Sequence, residues 1–215
     1  MGIKERKERE KEYRRLSILD AAQKVFFTKG IEECTMDDIA NEAELAKGTL
    51  YLYFKSKEDI RYEISLRGVE ILNKQLHDVL DENLSGLENL LNVGWTFINF
   101  SEKEGQFFQM FLFFQKIDIQ RLAIPREKVE DYFLHFSPFR LLINLVEKGI
   151  EDGSLRPDLP VNDTATALWS SMMGLLIVQQ TKQEIYEMFR VDKKAILDTN
   201  FDILINGLRN KNEQN

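Results

Sequence analysis

Apolar residues recur along this chain three and four positions apart and hardly anywhere in strict alternation, so the elements they predict are helices. Leu16, Leu19, Ala22, Val25 and Phe26 form one stripe of a first helix running to about Lys29, and Gly30 is a natural stop. Thr35 is the expected N-cap of a short second helix: Asp38, three residues on, completes a capping box, and Ile39, Ala40 and Ala43 provide the inner face. A tight turn at Glu44–Ala46 leads to a third helix, Lys47 to Phe54. Ser56, again with an acid three residues later (Asp59), caps a fourth. Helices of two turns do not persist alone and need a surface to lie on, which the first helix supplies. Two capped short helices separated by three residues are a helix-turn-helix.

The rest of the pattern is also helical. Ile60, Ile64, Ile71, Leu72, Leu76 and Val79 line a long helix from Lys57 to about Asp81. Ser85 with Glu88 starts another through Phe100, and a break at Ser101–Lys103 precedes a helix through Lys116. Residues 126–152 are helical with an interruption at Ser137-Pro138, where a kink and a fresh start are equally allowed. Gly153 ends that segment, Leu155–Pro160 is a loop, and Asn162 or Asp163 caps a helix to about Thr181. A last helix spans about Asp192 to Leu208. The expected fold is all-α with nine to ten helices: an N-terminal three-helix unit carrying the helix-turn-helix over 1–60 and a larger helical body over 61–215.

Composition narrows the setting. No stretch approaches the roughly 18 apolar residues of a membrane span, and the N-terminus is charged where a secretory signal would be apolar. A single cysteine, Cys34, makes no internal disulfide, so a cytoplasmic location is expected. The net charge of −7 argues against nucleic acid at first sight, but whole-chain charge reports the average surface and not the patch that meets a partner. The acidity lies mainly beyond residue 60. Residues 4–15 alternate in sign, with Glu5/Arg9 and Glu10/Arg14 one turn apart. They read either as a solvated extension of the first helix or as a basic arm for DNA phosphates.

On the third helix Leu50 and Phe54 lie four apart and should pack inward on the first helix and Ile39. Lys47, Gly48 and Tyr51 cluster away from that line and can face a major groove. A lysine there can donate to guanine O6 and N7, a glycine lets backbone approach, and a tyrosine can touch a thymine methyl or a phosphate. Thr35 and Lys57 stand at helix N-termini, where free N–H groups favour phosphate; Thr49 and Tyr53 add hydroxyls. The run from Thr35 through Lys47-Gly48-Thr49-Leu50-Tyr51-Leu52-Tyr53-Phe54 to Glu58 closely resembles the signature of the TetR family of transcription regulators, and the likeness extends back through Ile18–Gly30. The resemblance implies base contacts for Lys47, Gly48 and Tyr51, and phosphate contacts for Thr35, Thr49, Tyr53 and Lys57. It departs at Glu44, where many relatives carry glycine, so an acidic side chain there costs some strain.

The resemblance also implies an effector pocket in the aromatic-rich middle of the chain. Trp95, Phe107, Phe111, Phe114, Phe133, His135, Trp169 and Met173 are its candidate lining, for a small apolar or aromatic effector. Arg140 is one of the arginines available to an anionic end. The last two helices are apolar on more than one stripe, whereas a helix buried only by its own core needs one. Leu168, Met172, Leu175, Phe201, Leu204 and Leu208 are therefore candidates for a homodimer interface, two helices from each chain forming a four-helix bundle. Two histidines and one cysteine, with no HExxH, P-loop or GxSxG, leave little for catalysis, a metal or a cofactor, and none is expected. The competing reading is a helical small-molecule-binding or adaptor protein without operator binding; the intact Lys47, Gly48, Tyr51 and Lys57 speak against it.

Overall fold

Helix ends in the computed structural model, which describes residues 2–114, 125–135 and 137–210, fall where caps and glycines put them. The first four helices are α1 (Ile3–Lys29), α2 (Met36–Glu42), α3 (Lys47–Tyr53) and α4 (Lys57–Asp78). Gly30, at φ 91°, ends α1 by a turn that donates its N–H to the Phe26 carbonyl at 3.1 Å. The capping box of α2 is formed in both directions: the Thr35 hydroxyl accepts from the Asp38 amide, and the Asp38 carboxylate accepts from the Thr35 amide at 2.8 Å. Glu44 carries the turn between α2 and α3 at φ 54°, a left-handed conformation that a side chain makes costly.

Ile18, Leu19, Ala22, Val25 and Phe26 of α1 are buried against Ile39, Ala40, Leu50, Phe54, Ile60 and Ile64. Leu16, expected on that stripe, is 43% exposed. At about 100° per residue it lies roughly 120° from Ala22, the centre of the buried arc, and Ile18 takes its place.

The remaining helices are α5 (Gly86–Lys103), α6 (Gly105–Phe114), α7 (Arg126–His135), α8 (Pro138–Glu151), α9 (Val161–Thr181), α10 (Gln183–Met188) and α11 (Lys193–Leu208). Pro138 begins a helix of its own, at the first position after the N-cap Ser137, where its missing N–H costs nothing. The N-cap of α9 is Pro160, two residues before the first of the two polar candidates. Among the described residues the protein is all-helical apart from one β-bridge between Leu155 and Arg209, and no helix is long and apolar enough to cross a membrane.

The chain packs as two units, Met1–Gly68 with Gln106–Val129, and Val69–Gly105 with Glu130–Asn215. Most of α6, from Gln106 on, falls in the first unit. Phe107 of α6 meets Phe27 edge-on at 5.2 Å, Met110 is buried in the same core, and a Cβ on Gly68 would stand 3.0 Å from the Phe107 ring.

In the second unit α5 and α8 cross with their backbones touching. A Cβ on Gly86 would fall 2.2 Å from the Gly149 nitrogen, so only glycine fits there. Asp152 fixes the crossing by accepting from the Gly86 amide at 2.7 Å. α9 lies against α8. The Asn200 amide of α11 donates to Ser171 of α9 at 3.1 Å. The end of α11 is tied back by the Arg156 amide, which donates to the Leu208 carbonyl at 3.0 Å.

Candidate nucleic-acid interface and apolar cavity

α3 has a buried side and an open side. Leu50 and Phe54 are buried, as their four-residue spacing requires. Lys47, Gly48, Tyr51 and Leu52 are exposed, and at helical spacing they form one continuous face. Leu52, 73% exposed, is a member of that face that the sequence pattern leaves unassigned. Its distance of four from Gly48 is the signal that places it beside the other three. A large apolar side chain held in water on a two-turn helix is suited to a thymine methyl.

Gly48 has nothing within 4 Å of where a Cβ would stand. The fold does not require glycine there, so a requirement would come from something outside the chain. Lys47 is exposed but not idle: its ammonium pairs with Asp37 of α2 at 2.7 Å, and that carboxylate raises the lysine's pKa. Thr49 and Tyr53 are half-buried at the edge of the face.

Thr35 and Lys57 are placed differently from a simple phosphate contact. The Thr35 hydroxyl donates to the Asp38 carboxylate at 2.6 Å while accepting from the Asp38 amide. Lys29 stands 2.8 Å from the same carboxylate. Its ammonium, followed by the Thr35 hydroxyl and amide, holds Asp38 well below the usual carboxylate range. The Lys57 ammonium donates to the carbonyls of Ile31, Glu32 and Cys34 at 3.0, 3.3 and 2.9 Å. Both side chains hold the loop between α1 and α2 and so fix where α2 and α3 sit. That use of Lys57 is invisible in sequence because its three acceptors are backbone carbonyls some 25 residues away.

The second unit contains an apolar cavity of about 70 Å³. Leu76 of α4, Leu87, Leu90 and Phe97 of α5, Leu142 of α8, and Leu168, Trp169, Met172, Phe201, Leu204 and Leu208 of α9 and α11 are among its walls, and among the described residues no ionisable side chain lines it. Of the expected effector-pocket residues, Trp169 is in the wall, 5.6 Å from Phe97. Trp95 stacks on Phe201 at 4.5 Å instead, and Met173 is buried elsewhere in the same unit. Phe107 belongs to the first unit, packed on Phe27. The side chains of Phe111, Phe114, Phe133 and His135 lie outside the described residues. Arg140 is exposed and forms no part of the lining.

The expected dimer residues also sit differently. Leu168, Met172, Phe201, Leu204 and Leu208 point inward to the cavity, and Leu175 is half-buried. It is the neighbouring stripe that faces out: Ala167, Ser170, Gly174, Ile177 and Val178 on α9, with Ala195, Thr199, Ile203 and Gly207 on α11. Two stripes were legible, but which one the monomer's own core consumes is decided by the tilt of each helix. Among the described residues, no cluster of His, Cys, Asp and Glu is arranged to hold a metal.

A family model described as bacterial regulatory proteins, tetR family, matches residues 18–64, the span of the three-helix unit. The HTH-type transcriptional repressor KstR2 of Mycobacterium tuberculosis is 31% identical over 183 residues, covering 80% of this chain and 88% of its own. The fatty acid metabolism regulator protein of Bacillus subtilis is 22% identical over 197 residues, covering 91% and 96%. The solved structure of the ketosteroid transcriptional regulator KstR2 of Mycobacterium tuberculosis matches with a TM-score of 0.61 at 23% identity, over 91% of this chain and 95% of that one. That structural likeness extends the shared fold beyond the three-helix unit to most of the chain.

Proposed function

This chain belongs to the TetR family of bacterial regulatory proteins, and from that premise we propose that it is a repressor whose dimer holds a palindromic operator until a small apolar effector releases it. Family membership makes it a helix-turn-helix transcription regulator and not an enzyme. The observation that carries the finer reading is the open face of α3, where Lys47, Gly48, Tyr51 and Leu52 project together from a helix whose other side is buried. In a major groove Lys47 donates to guanine O6 and N7, Tyr51 and Leu52 meet thymine methyls, and Gly48 lets the backbone close in. Thr49 and Tyr53 offer hydroxyls to phosphates. Thr35 and Lys57 act by positioning α2 and α3.

The dimer reading rests on the outward stripes of α9 and α11. Ala167, Ser170, Gly174, Ile177 and Val178 form an uncharged surface several turns long, which suits a packed four-helix bundle better than water. The Asn200 Oδ1, buried without a hydrogen-bond partner among the described residues, is an acceptor that a second copy can satisfy. Two-fold symmetry then presents two copies of α3 and asks for a palindromic site.

The effector reading rests on the cavity. A lining without charge selects a hydrocarbon moiety, in keeping with a relative named a fatty acid metabolism regulator protein. A space of about 70 Å³ holds only a few water-sized groups, since one water needs roughly 10–15 Å³. A lipid-sized effector therefore enters by parting the helices around it. Leu168, Met172, Leu204 and Leu208 belong to the same helices that carry the outward stripes, so occupancy bears on how two chains meet. An effector that prefers the parted state lowers operator affinity through that preference alone.

The test begins with duplexes that the protein selects from a random pool. The selected sites should be palindromic. Lys47→Ala should weaken binding by about one to two orders of magnitude per half-site on the selected sequence and far less on random DNA. Equal losses on both DNAs would make Lys47 a phosphate contact, and selection of sites without symmetry would remove the dimeric reading.

A further inference from the structure

Residues 4–14 of α1 contribute no side chain to the core. They are exposed throughout, and the buried face of the helix begins only at Ile18. Laid out at about 100° per residue, their charges are sorted and not scattered. Lys4, Lys7, Lys11 and Arg14 fall within an arc of roughly 80° over a length of about 15 Å. Glu5, Glu8 and Glu12 form the neighbouring stripe, and Arg6, Arg9 and Glu10 lie on the far side.

The two stripes are used differently. On the acidic stripe Glu5 accepts from the Gly2 amide at 2.9 Å and Glu12 stands 4.0 Å from Arg15, while Glu8 has no ion pair or hydrogen bond among the described residues; on the far side Glu10 is paired with Arg6 at 2.8 Å. Lys4, Lys7, Lys11 and Arg14 have no ion pair or hydrogen bond among the described residues. A row of four cations one turn apart, none of them held in an ion pair among the described residues of a protein with a net charge of −7, repels itself and is favoured by an external polyanion.

Its location supplies the identity of that polyanion. Where the arm leaves the body, Arg15 is anchored twice, by an ion pair to Glu63 of α4 and over the Phe54 ring at 5.1 Å. Phe54 is the C-cap of α3. The arm thus departs from the C-terminal end of the reading helix, on the same face of α1 that buries Ile18, Ala22 and Val25. We propose that the Lys4–Lys7–Lys11–Arg14 stripe is a second DNA-contacting surface, which tracks backbone phosphates beyond the base pairs that α3 reads and makes affinity depend on flanking duplex. This rests on the operator-binding reading of α3.

Two variants with the same loss of charge separate position from net charge: Lys7→Gln with Lys11→Gln on the stripe, and Arg6→Gln with Arg9→Gln off it. Each is titrated with a selected duplex, trimmed to the bases α3 covers or extended by about one helical turn on each side, across a salt series. On the extended duplex the stripe variant should lose about 0.9 in the slope of log K against log salt for every phosphate contact removed, and bind at least about tenfold more weakly at low salt. On the trimmed duplex it should match the wild type, and the off-stripe variant should match it on both. Equal behaviour of the two variants, or equal loss on both duplexes, overturns the stripe while leaving α3 as the reader. A wild-type protein that retains no duplex from the pool overturns the operator reading and this surface with it.

Discussion

Gly48 and Lys47 are neighbours that the monomer treats in opposite ways. Among the described residues nothing stands within 4 Å of a Cβ placed on Gly48, so Gly48→Ala should leave the folded protein unharmed and raise helix stability by up to about 1 kcal/mol. The same methyl would stand between α3 and the groove. The expected outcome is an unchanged or slightly higher melting temperature with weakened operator binding; unimpaired binding would mean that the backbone at this position does not approach DNA. Lys47, by contrast, is held by Asp37, which on the proposed reading would compete with a guanine for the same ammonium. Asp37→Asn should free it and remove a negative charge from the face. Operator affinity should rise a few-fold at low salt and converge on the wild-type value as salt screens the pair. A loss of affinity would instead assign Asp37 to orienting the lysine. That Lys47, Gly48 and Tyr51 share an open face is legible in sequence because adjacency on a short helix is periodicity alone. The Asp37 pairing is not, because it depends on how α2 and α3 cross.

The same limit applies to the elements. Caps are local, and Thr35/Asp38 and Ser85/Glu88 were readable because each box is closed within four residues. The departure at Glu44 was readable too, and it has a measurable consequence. Its φ of 54° costs a residue with a side chain about 1–2 kcal/mol relative to glycine, less the entropy that glycine brings to the unfolded chain. Glu44→Gly should therefore stabilise the three-helix unit by about 1 kcal/mol, a rise of roughly 2–4 °C in melting temperature for a chain of this size. No rise would show that Glu44 earns a compensating interaction in the turn. Loop clamps were not readable. Lys57 looks in sequence like any lysine at a helix start, and its three carbonyl acceptors become neighbours only when α4 packs beside the end of α1. Asp38 behaves similarly: its low pKa comes first from Lys29, on another helix. Because that pKa is depressed in the folded state, the stabilisation it brings is complete above the ordinary carboxylate range and disappears as pH falls below it.

At the scale of the whole molecule, the two apolar stripes on α9 and α11 can be told apart by substituting adjacent residues. Leu204 lines the cavity, and Ile203, one position earlier, is 64% exposed. About 100° of helix rotation separates a side chain that the monomer's own core consumes from one that it leaves in water. Leu204→Arg would bury a guanidinium among leucines and aromatics with no acid among the described wall residues to pair it, so the expected result is a lowered melting temperature or aggregation. Ile203→Arg asks nothing of the monomer, since exposed substitutions usually change stability by less than about 0.5 kcal/mol. In a two-fold bundle, though, it would set two arginines against an uncharged surface across the axis. Sedimentation equilibrium should then find a folded single chain of 25.2 kDa where the wild type sediments as a pair, with thermal unfolding of the variant becoming independent of concentration. Operator binding should fall further than either half-site contact explains, because two reading helices no longer arrive together. A wild type that sediments as a single chain would end the dimeric reading, and an Ile203→Arg protein that remains a stable pair would move the interface off this stripe.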